Sequence, residues 1–421
     1  MTPAKLQHQI DTVAKKARAS SRLLADAAPG SINRSLKVMA ELILTNRKML
    51  QSRNARDIKA ARSQGLSSSM IERLTLSDKA IASMVRGLRE VSALPAPIGD
   101  IYDRRTRPNG LAIYKVRVPI GVVAIIFEAR PNVTVDAAAI CLKSHNAVIL
   151  RGGSEAFHSN QALEGLFRRA LKTCGLPPDS VQLIPTTDRA AIPILLKKSD
   201  EIDLVIPRGG EGLIRTVVEQ SHIPVIKHYK GVCHVFVSRH ADMKKAVSIV
   251  CNAKTQRPSV CNAMETLLLD TRLSRSRRRD IITALQDKGV VLYGDAETRS
   301  LADGIEPATI DDWKAEYLDL RCAVRTVSGI DQAIDHINTF GSHHTDAIVS
   351  ASKKEICRFL KKVDSASVMA NVSTRFSDGG EYGMGCEIGI STDKLHARGP
   401  MGVEDLLTYK WIVLGNGQVR N

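Results

Sequence analysis

An α/β fold made of more than one unit is what this chain predicts, and two observations carry the prediction. Between 120 and 235, short runs that are apolar almost throughout (GVVAIIFEARP, AVILRGG, SVQLIP, IDLVIPRGG) alternate with stretches of helical character such as VDAAAICLKSHN and NQALEGLFRRALKTCG. Apolar strands separated by helices form βαβ units whose parallel sheet is covered on both faces. The second observation is size: 421 residues, 43% of them hydrophobic, exceed one ordinary core and supply apolar surface for two or three.

In chain order, residues 1–95 predict three or four amphipathic helices. In SLKVMAELILTNRKML, Leu36, Met39, Ile43 and Met49 or Leu50 recur at helical spacing between basic residues. LPAPIGD (94–100) breaks that pattern. GLAIYKVRVP (110–119), with Leu111 and Ile113 against a polar face, predicts a half-buried strand or hairpin arm at a sheet edge. After the βαβ region the alternation resumes from 236 to about 365 (HVFV, AVSIVCNAK, METLLLD, VVLYG, CAVRTV, TDAIVS), which predicts a second α/β unit beyond a boundary near 230–236. Residues 372–402 are rich in Gly, Ser and Thr and read as loop, and LLTYKWIVLG (406–415) predicts a last strand.

The formal net charge of +16 draws anions: nucleic acid, phosphorylated metabolites or nucleotide cofactors. Aromatic residues make up only 4% and the basic ones are dispersed, so nucleic-acid binding is the lesser alternative, marked by steep salt dependence. The longest apolar stretches, such as VPIGVVAIIF, fall short of the about 20 residues of a membrane span. The opening MTPAKLQHQIDTVAKKARASS has no apolar core and carries an acid early, which fits neither a secretory signal nor a transit peptide, so a cytoplasmic location is expected. Eight scattered cysteines without a C-x-x-C pair predict reduced, mostly buried thiols.

Three groups of residues could carry chemistry. Two strand ends share the letters RGG, as Arg151, Gly152, Gly153 and as Arg208, Gly209, Gly210. Glycines there let backbone N–H groups approach a phosphate and an arginine adds a fork for it, although tight βα turns use the same residues. Neither is G-x-G-x-x-G or a P-loop. In KTQRPSVCNAMETLLL (254–269), Pro258 and Ser259 mark a loop and the run 263–269 reads as helical or buried. Cys261 between them is packing, a metal ligand or a nucleophile; Arg257 and Lys254 upstream supply the positive setting that favours a thiolate. Cys386, in GMGCEIG, is its rival. His343, His344 and Asp346 in SHHTD suggest a metal, but adjacent histidines diverge and no matching spacing appears, so they read as solvent-facing and no metal is expected. A Cys/His dyad with His228 or His234 stays open.

The segments IFEARPNVTVDAAAICLKSHNAVILRGG (126–153), IPRGGEGL (206–213), NAKTQRPSVCNAMETLL (252–268) and NVSTRFSDGGEYGMGCEIGISTDKLHARGPMG (371–402) together resemble the γ-glutamyl phosphate reductases, also called glutamate-5-semialdehyde dehydrogenases, a branch of the aldehyde dehydrogenase superfamily. The resemblance runs in order over nearly the whole chain. It implies an aldehyde-dehydrogenase-like fold: a Rossmann-like NADP-binding domain over 1–102 and 120–232, a catalytic domain over 233–370, oligomerisation strands at 103–119 and 404–418, and a Gly-rich active-site tail at 371–403. It implies NADPH-dependent reduction of γ-glutamyl 5-phosphate in proline biosynthesis, through a thioester on Cys261, with Asn132 and the Cys261 N–H as oxyanion donors. Cofactor contacts would fall on Arg151, Gly152, Gly153 and the Pro207, Arg208, Gly209, Gly210 turn, and Glu316 in AEYLDL would hold the nicotinamide ribose. Arg257, Ser373, Thr374 and Arg375 are candidates for the substrate's anionic groups, with Lys394, His396 and Arg398 as further options. A homo-oligomer, dimer or tetramer, and coupling to glutamate 5-kinase are also implied. Hydrolytic members of the superfamily carry a general-base glutamate where this chain has KHYKGVCHV (227–235), which has no acid. An ordinary hydrolytic aldehyde dehydrogenase is therefore the alternative, not the first reading.

Overall fold

The computed structural model describes residues 2–128 and 130–420, Ser69 by its backbone alone; Ala129, inside the 126–153 motif, lies outside the described residues. The chain packs into two compact units, 1–227 with 383–389 and 401–421, and 228–382 with 390–400. The first crossing falls just ahead of the predicted 230–236 boundary. The Gly-rich tail does not stand apart: its segments alternate between the two units.

Five helices, not three or four, open the first unit: Pro3–Ala25, Pro29–Thr45, Arg47–Ser63, Ser68–Leu74 and Asp78–Ala93. Ser68–Leu74 is too short to show a period in the sequence, and Ser67 starts it by accepting the Met70 N–H. Leu36, Met39 and Ile43 are fully buried on one stripe of the second helix, and Leu50 is fully buried on the third, whereas Met49 faces out. Asn54, also buried, ties these helices together: Nδ2 donates to the Leu74 carbonyl (2.8 Å) and Ser159 Oγ (3.1 Å), and Oδ1 accepts the Leu76 N–H (2.8 Å). A buried amide satisfied this way carries no desolvation penalty of the unpaired kind.

The parallel sheet of this unit has four strands in the order Val181–Leu183, Ala147–Gly152, Val122–Phe127, Leu204–Arg208. Val122–Phe127 is buried at every position, which is why it reads as an unbroken apolar run. Pro207 sits in an end strand of the sheet, where its missing N–H breaks no ladder. Ala112–Pro119 is the middle of a three-stranded antiparallel sheet, not an edge; Ile101–Thr106 and Leu407–Leu414 flank it. Its second neighbour comes from the far end of the chain, so no local pattern announces it.

The second unit holds seven parallel strands in the order Ile305–Pro307, Val291–Gly294, Arg321–Val327, Met264–Asp270, Cys233–Val237, Thr345–Val349, Ser367–Ala370. The run after Cys261 is thus the strand Met264–Asp270, correcting the helical reading: buried at all seven positions, it shows no alternation by which a strand is recognised. Among the described residues no helix is long and apolar enough to cross a membrane.

Candidate active site

Three neighbouring strands of the second unit, Met264–Asp270, Cys233–Val237 and Thr345–Val349, run parallel with Cys233 beside Met264 and His234 beside Asp346. The loops entering their amino ends therefore meet, and they bring Cys261, His228, Gly231 and His344 together. Cys261 is half-buried, and its carbonyl accepts the Cys233 S–H at 3.1 Å. A Cβ on Gly231 would stand 2.6 Å from Cys261 Cα, so the two main chains touch where only glycine fits. The Gly231 N–H donates to Glu316 Oε1 at 2.8 Å. Ring nitrogens of His228 and His344 and the Cys261 sulfur all lie within 4.8 Å of one another.

The positive setting of Cys261 differs from the expected one. Lys254 is fully buried with its Nζ 2.6 Å from Glu265 Oε2, so its charge is neutralised within the core. Burial pushes the Glu265 carboxyl up to about 7 against the pull of Lys254, and Oε1 accepts the Leu318 N–H (3.2 Å), which fixes the loop that carries Glu316. The charge near the thiol comes instead from Arg375, which interacts with Cys261 and has Arg257 beside it; burial, then the opposing Asp378, then Arg257 set its net shift below the ordinary guanidinium range.

Ser373 and Thr374 hold the turn that carries Arg375. Ser373 is buried and its hydroxyl accepts the Arg375 N–H (3.3 Å); Thr374 is fully buried and donates to the Asn262 carbonyl (2.7 Å), while Asn262 Nδ2 donates to the Ser377 carbonyl (2.8 Å). The turn is thereby fastened to the residue next to Cys261, and Arg375 Nε donates to Gln256 Oε1 (2.8 Å). Lys394 and Arg398 both pair with Asp364.

In the first unit, Asn132 lies in the first turn of the helix Pro131–Lys143 and its Nδ2 donates to Asp136 Oδ2 at 3.0 Å. Cys386, the rival thiol, stands 3.8 Å from the other oxygen of Asp136. Burial raises the Asp136 carboxyl to about 6, although Asn132, Cys386 and Arg208 favour its charge. The folded protein holds that proton up to pH about 6 while the unfolded chain releases it near 3.8, so between these values the folded state binds more protons and stability declines as pH rises, by about 3 kcal/mol in all. Asp136→Asn removes that decline: urea midpoints measured from pH 4 to 7 should fall in the native protein relative to D136N, and parallel curves would contradict this.

Arg151, at the end of Ala147–Gly152, is buried; Nη1 donates to the Gly152 carbonyl (2.9 Å) and Nη2 to that of Thr187 (3.2 Å). Burial first, then the like-charged Arg189, hold its pKa down against the opposing carboxylates of Glu155, Asp188 and Glu128. Gly153 is closely covered by the Glu155 carboxylate, and the Gly210 N–H donates to Glu128 Oε2 at 3.0 Å. A side-chain carboxylate thus occupies the N–H donor that a glycine turn would offer a phosphate, an acceptor of the same charge sign as the phosphate of a nicotinamide cofactor. Pro207 is buried, Gly209 and Gly210 are exposed, and the Arg208 side chain packs over Gly389, where a Cβ would meet its Cδ at 2.9 Å.

The SHHTD reading needs correction: His344 and Asp346 are fully buried, Asp346 accepting the N–H of His234, its ring Nδ1–H (2.8 Å each) and the Ser365 hydroxyl. Gly231 is absent from the sequence reading, and His344 entered it only as a solvent-facing histidine of SHHTD. The only signal for them was that both precede a predicted strand, and strand order is what places them beside Cys261.

A model of the aldehyde dehydrogenase family matches residues 2–290. The γ-glutamyl phosphate reductase of Moorella thermoacetica is 50% identical over 412 residues, covering 98% of this chain and 99% of that protein. The crystal structure of γ-glutamyl phosphate reductase from Thermotoga maritima, 42% identical, superimposes with a TM-score of 0.95 over 98% of this chain and 100% of that one. The enzyme of that name from Saccharomyces cerevisiae is 30% identical, with a TM-score of 0.53 over 97% of this chain and 98% of its own.

Proposed function

The chain belongs to the γ-glutamyl phosphate reductase branch of the aldehyde dehydrogenase family, and from that membership we propose how it works. Its reaction is the reduction of γ-glutamyl 5-phosphate to glutamate-5-semialdehyde in proline biosynthesis, with a nicotinamide cofactor. The proposal adds that the cofactor is NADPH and that the acyl group passes through a thioester on Cys261. The observation that carries it is the half-buried Cys261 thiol, held by main-chain contact with Gly231 and close to Arg375, which has Arg257 beside it.

The Cys261 thiolate attacks the acyl carbon, the C–S bond forms, and the C–O bond to phosphate breaks as phosphate leaves. Arg257 and Arg375 hold the negative charge of the leaving group, and the Ser373–Thr374 turn fixes Arg375 in place. The Asn132 amide and the Cys261 N–H donate to the oxyanion at both tetrahedral stages, together worth several kcal/mol. When bound, the nicotinamide cofactor supplies the hydride that reduces the acyl group. Collapse of the hemithioacetal returns the thiolate and frees the semialdehyde. Arg151, Gly152, Gly153 and the Pro207–Gly210 turn are assigned to the cofactor's phosphates and Glu316 to its ribose; the Arg151 and Arg189 pair supports NADPH over NADH. The stretch 227–235 offers no acid to activate water, which supports a thioester that waits for hydride or phosphate.

The exposed Tyr102, Tyr409, Trp411, Val413 and Leu414 of the antiparallel sheet support assignment of these strands to a homo-oligomer contact. Work in the cytoplasm, alongside glutamate 5-kinase as the source of a reactive acyl phosphate, belongs to the same proposal.

The test is the reverse reaction with glutamate-5-semialdehyde and NADP or NAD, with and without inorganic phosphate. Turnover that requires phosphate and favours NADP is expected; phosphate-independent turnover would mark a hydrolytic dehydrogenase instead. In the same assay Arg375→Met and Arg257→Met should each raise KM for phosphate by about tenfold or more, the loss of a hydrogen bond to a charged group. An unchanged KM in both would place the phosphate elsewhere.

A further inference from the structure

We propose that His228, Cys261 and His344 form a Zn²⁺ site which, when filled, withholds the nucleophile from reaction. One thiolate and two imidazoles are a donor set zinc favours, and three protein ligands leave the fourth tetrahedral position to water. The three ligand atoms lie within 4.8 Å of one another, and metal bonds of about 2.0–2.3 Å put tetrahedral ligand atoms roughly 3.3–3.8 Å apart. The side chains therefore close by about an ångström around the ion, a movement that rotation of the half-buried His228 and Cys261 supplies. The two imidazole rings stand 5.6 Å apart at 67°, so they are not stacked face to face, an arrangement that would turn their nitrogens away from a common centre.

The surroundings match what holds a zinc-ligating histidine. His344 Nδ1 is 2.9 Å from Thr345 Oγ1, a second contact that fixes ring and tautomer and makes Nε2 the metal-binding nitrogen. Cys233 stands nearby, 3.6 Å from the same Nδ1, with its S–H donating to the Cys261 carbonyl at 3.1 Å. As the Zn–S bond forms, the Cys261 proton passes to solvent, and a sulfur lone pair bound to metal cannot attack an acyl carbon. Metal and acyl group therefore compete for one atom. The site lies wholly within the second unit and does not depend on which acyl group Cys261 carries.

The test uses the full chain, reduced and stripped with EDTA, then titrated with Zn²⁺ and separately with Cd²⁺, whose thiolate complex absorbs in the ultraviolet. One metal per chain is expected, with the cadmium–thiolate band absent from Cys261→Ser. His228→Gln and His344→Gln should each weaken binding by about tenfold or more. His344 is fully buried, so His228→Gln is the variant that decides if H344Q misfolds. Bound zinc should also shield Cys261 from iodoacetamide, and EDTA should restore its alkylation. A cadmium band that persists in C261S, or wild-type affinity in H228Q, would overturn the site. Because the readout is metal binding by the resting protein, that failure would leave the reductase reading untouched.

Discussion

Cys261→Ala lowers the rate of semialdehyde oxidation by at least about a thousandfold, the scale of loss when a covalent nucleophile is removed. Of the eight cysteines, Cys141, Cys174, Cys233, Cys251 and Cys322 are buried, and burial raises the thiol pKa of Cys141, Cys233, Cys251 and Cys322, that of Cys322 to about 12. Cys357 is exposed on a helix, and Cys386 faces the Asp136 carboxylate, a neighbour that opposes a second negative charge. Cys261 is the half-buried thiol that interacts with the Arg375 guanidinium, which has Arg257 beside it, whereas Cys233, the other thiol that interacts with Arg375, is fully buried. The alanine variant loses a half-buried thiol that packs no core, so its urea midpoint should stay close to that of the native protein. Residual activity above about a tenth of native would show that Cys261 is packing rather than chemistry.

Gly231→Ala has the second largest effect. The new Cβ would lie 2.6 Å from both the carbonyl carbon and Cα of Cys261, and these are main-chain atoms, which cannot rotate away as a side-chain tip can. One of the two loops must shift, and a displacement of about 1 Å at the reacting atom costs about a hundredfold in rate. The same shift strains the Gly231 N–H bond to Glu316, so KM for the cofactor should rise as kcat falls. Steady-state kinetics check this, and a variant with kcat within about threefold of native would contradict the contact.

Much of this architecture was legible because the parallel strands are apolar throughout and the helices between them carry a stripe. The N-terminal stripe of Leu36, Met39 and Ile43, the strand ends at Arg151 and Arg208, and the last strand at 407–414 all follow from local periodicity. The loop that carries Cys261 was legible from Pro258 and Ser259. What failed depends on contacts between distant segments. Lys254 reads as part of the positive setting of Cys261 but finds Glu265 in the core, and the Thr374 hydroxyl is taken up by the Asn262 carbonyl and that of Ser373 by the Arg375 N–H. The burial of His344 and Asp346 rests on the partners His234 and Ser365, which only the sheet order supplies. Gly231 looks like any loop glycine until the Cys261 main chain is laid against it.

The most direct test of the central claim is mass spectrometry of the protein after rapid acid quench, following mixing with glutamate-5-semialdehyde and NADP without phosphate. A γ-glutamyl adduct on the peptide that contains Cys261, discharged when inorganic phosphate is added before the quench, is the result this account predicts. An unmodified Cys261 peptide during turnover, or an adduct on Cys386, would contradict it.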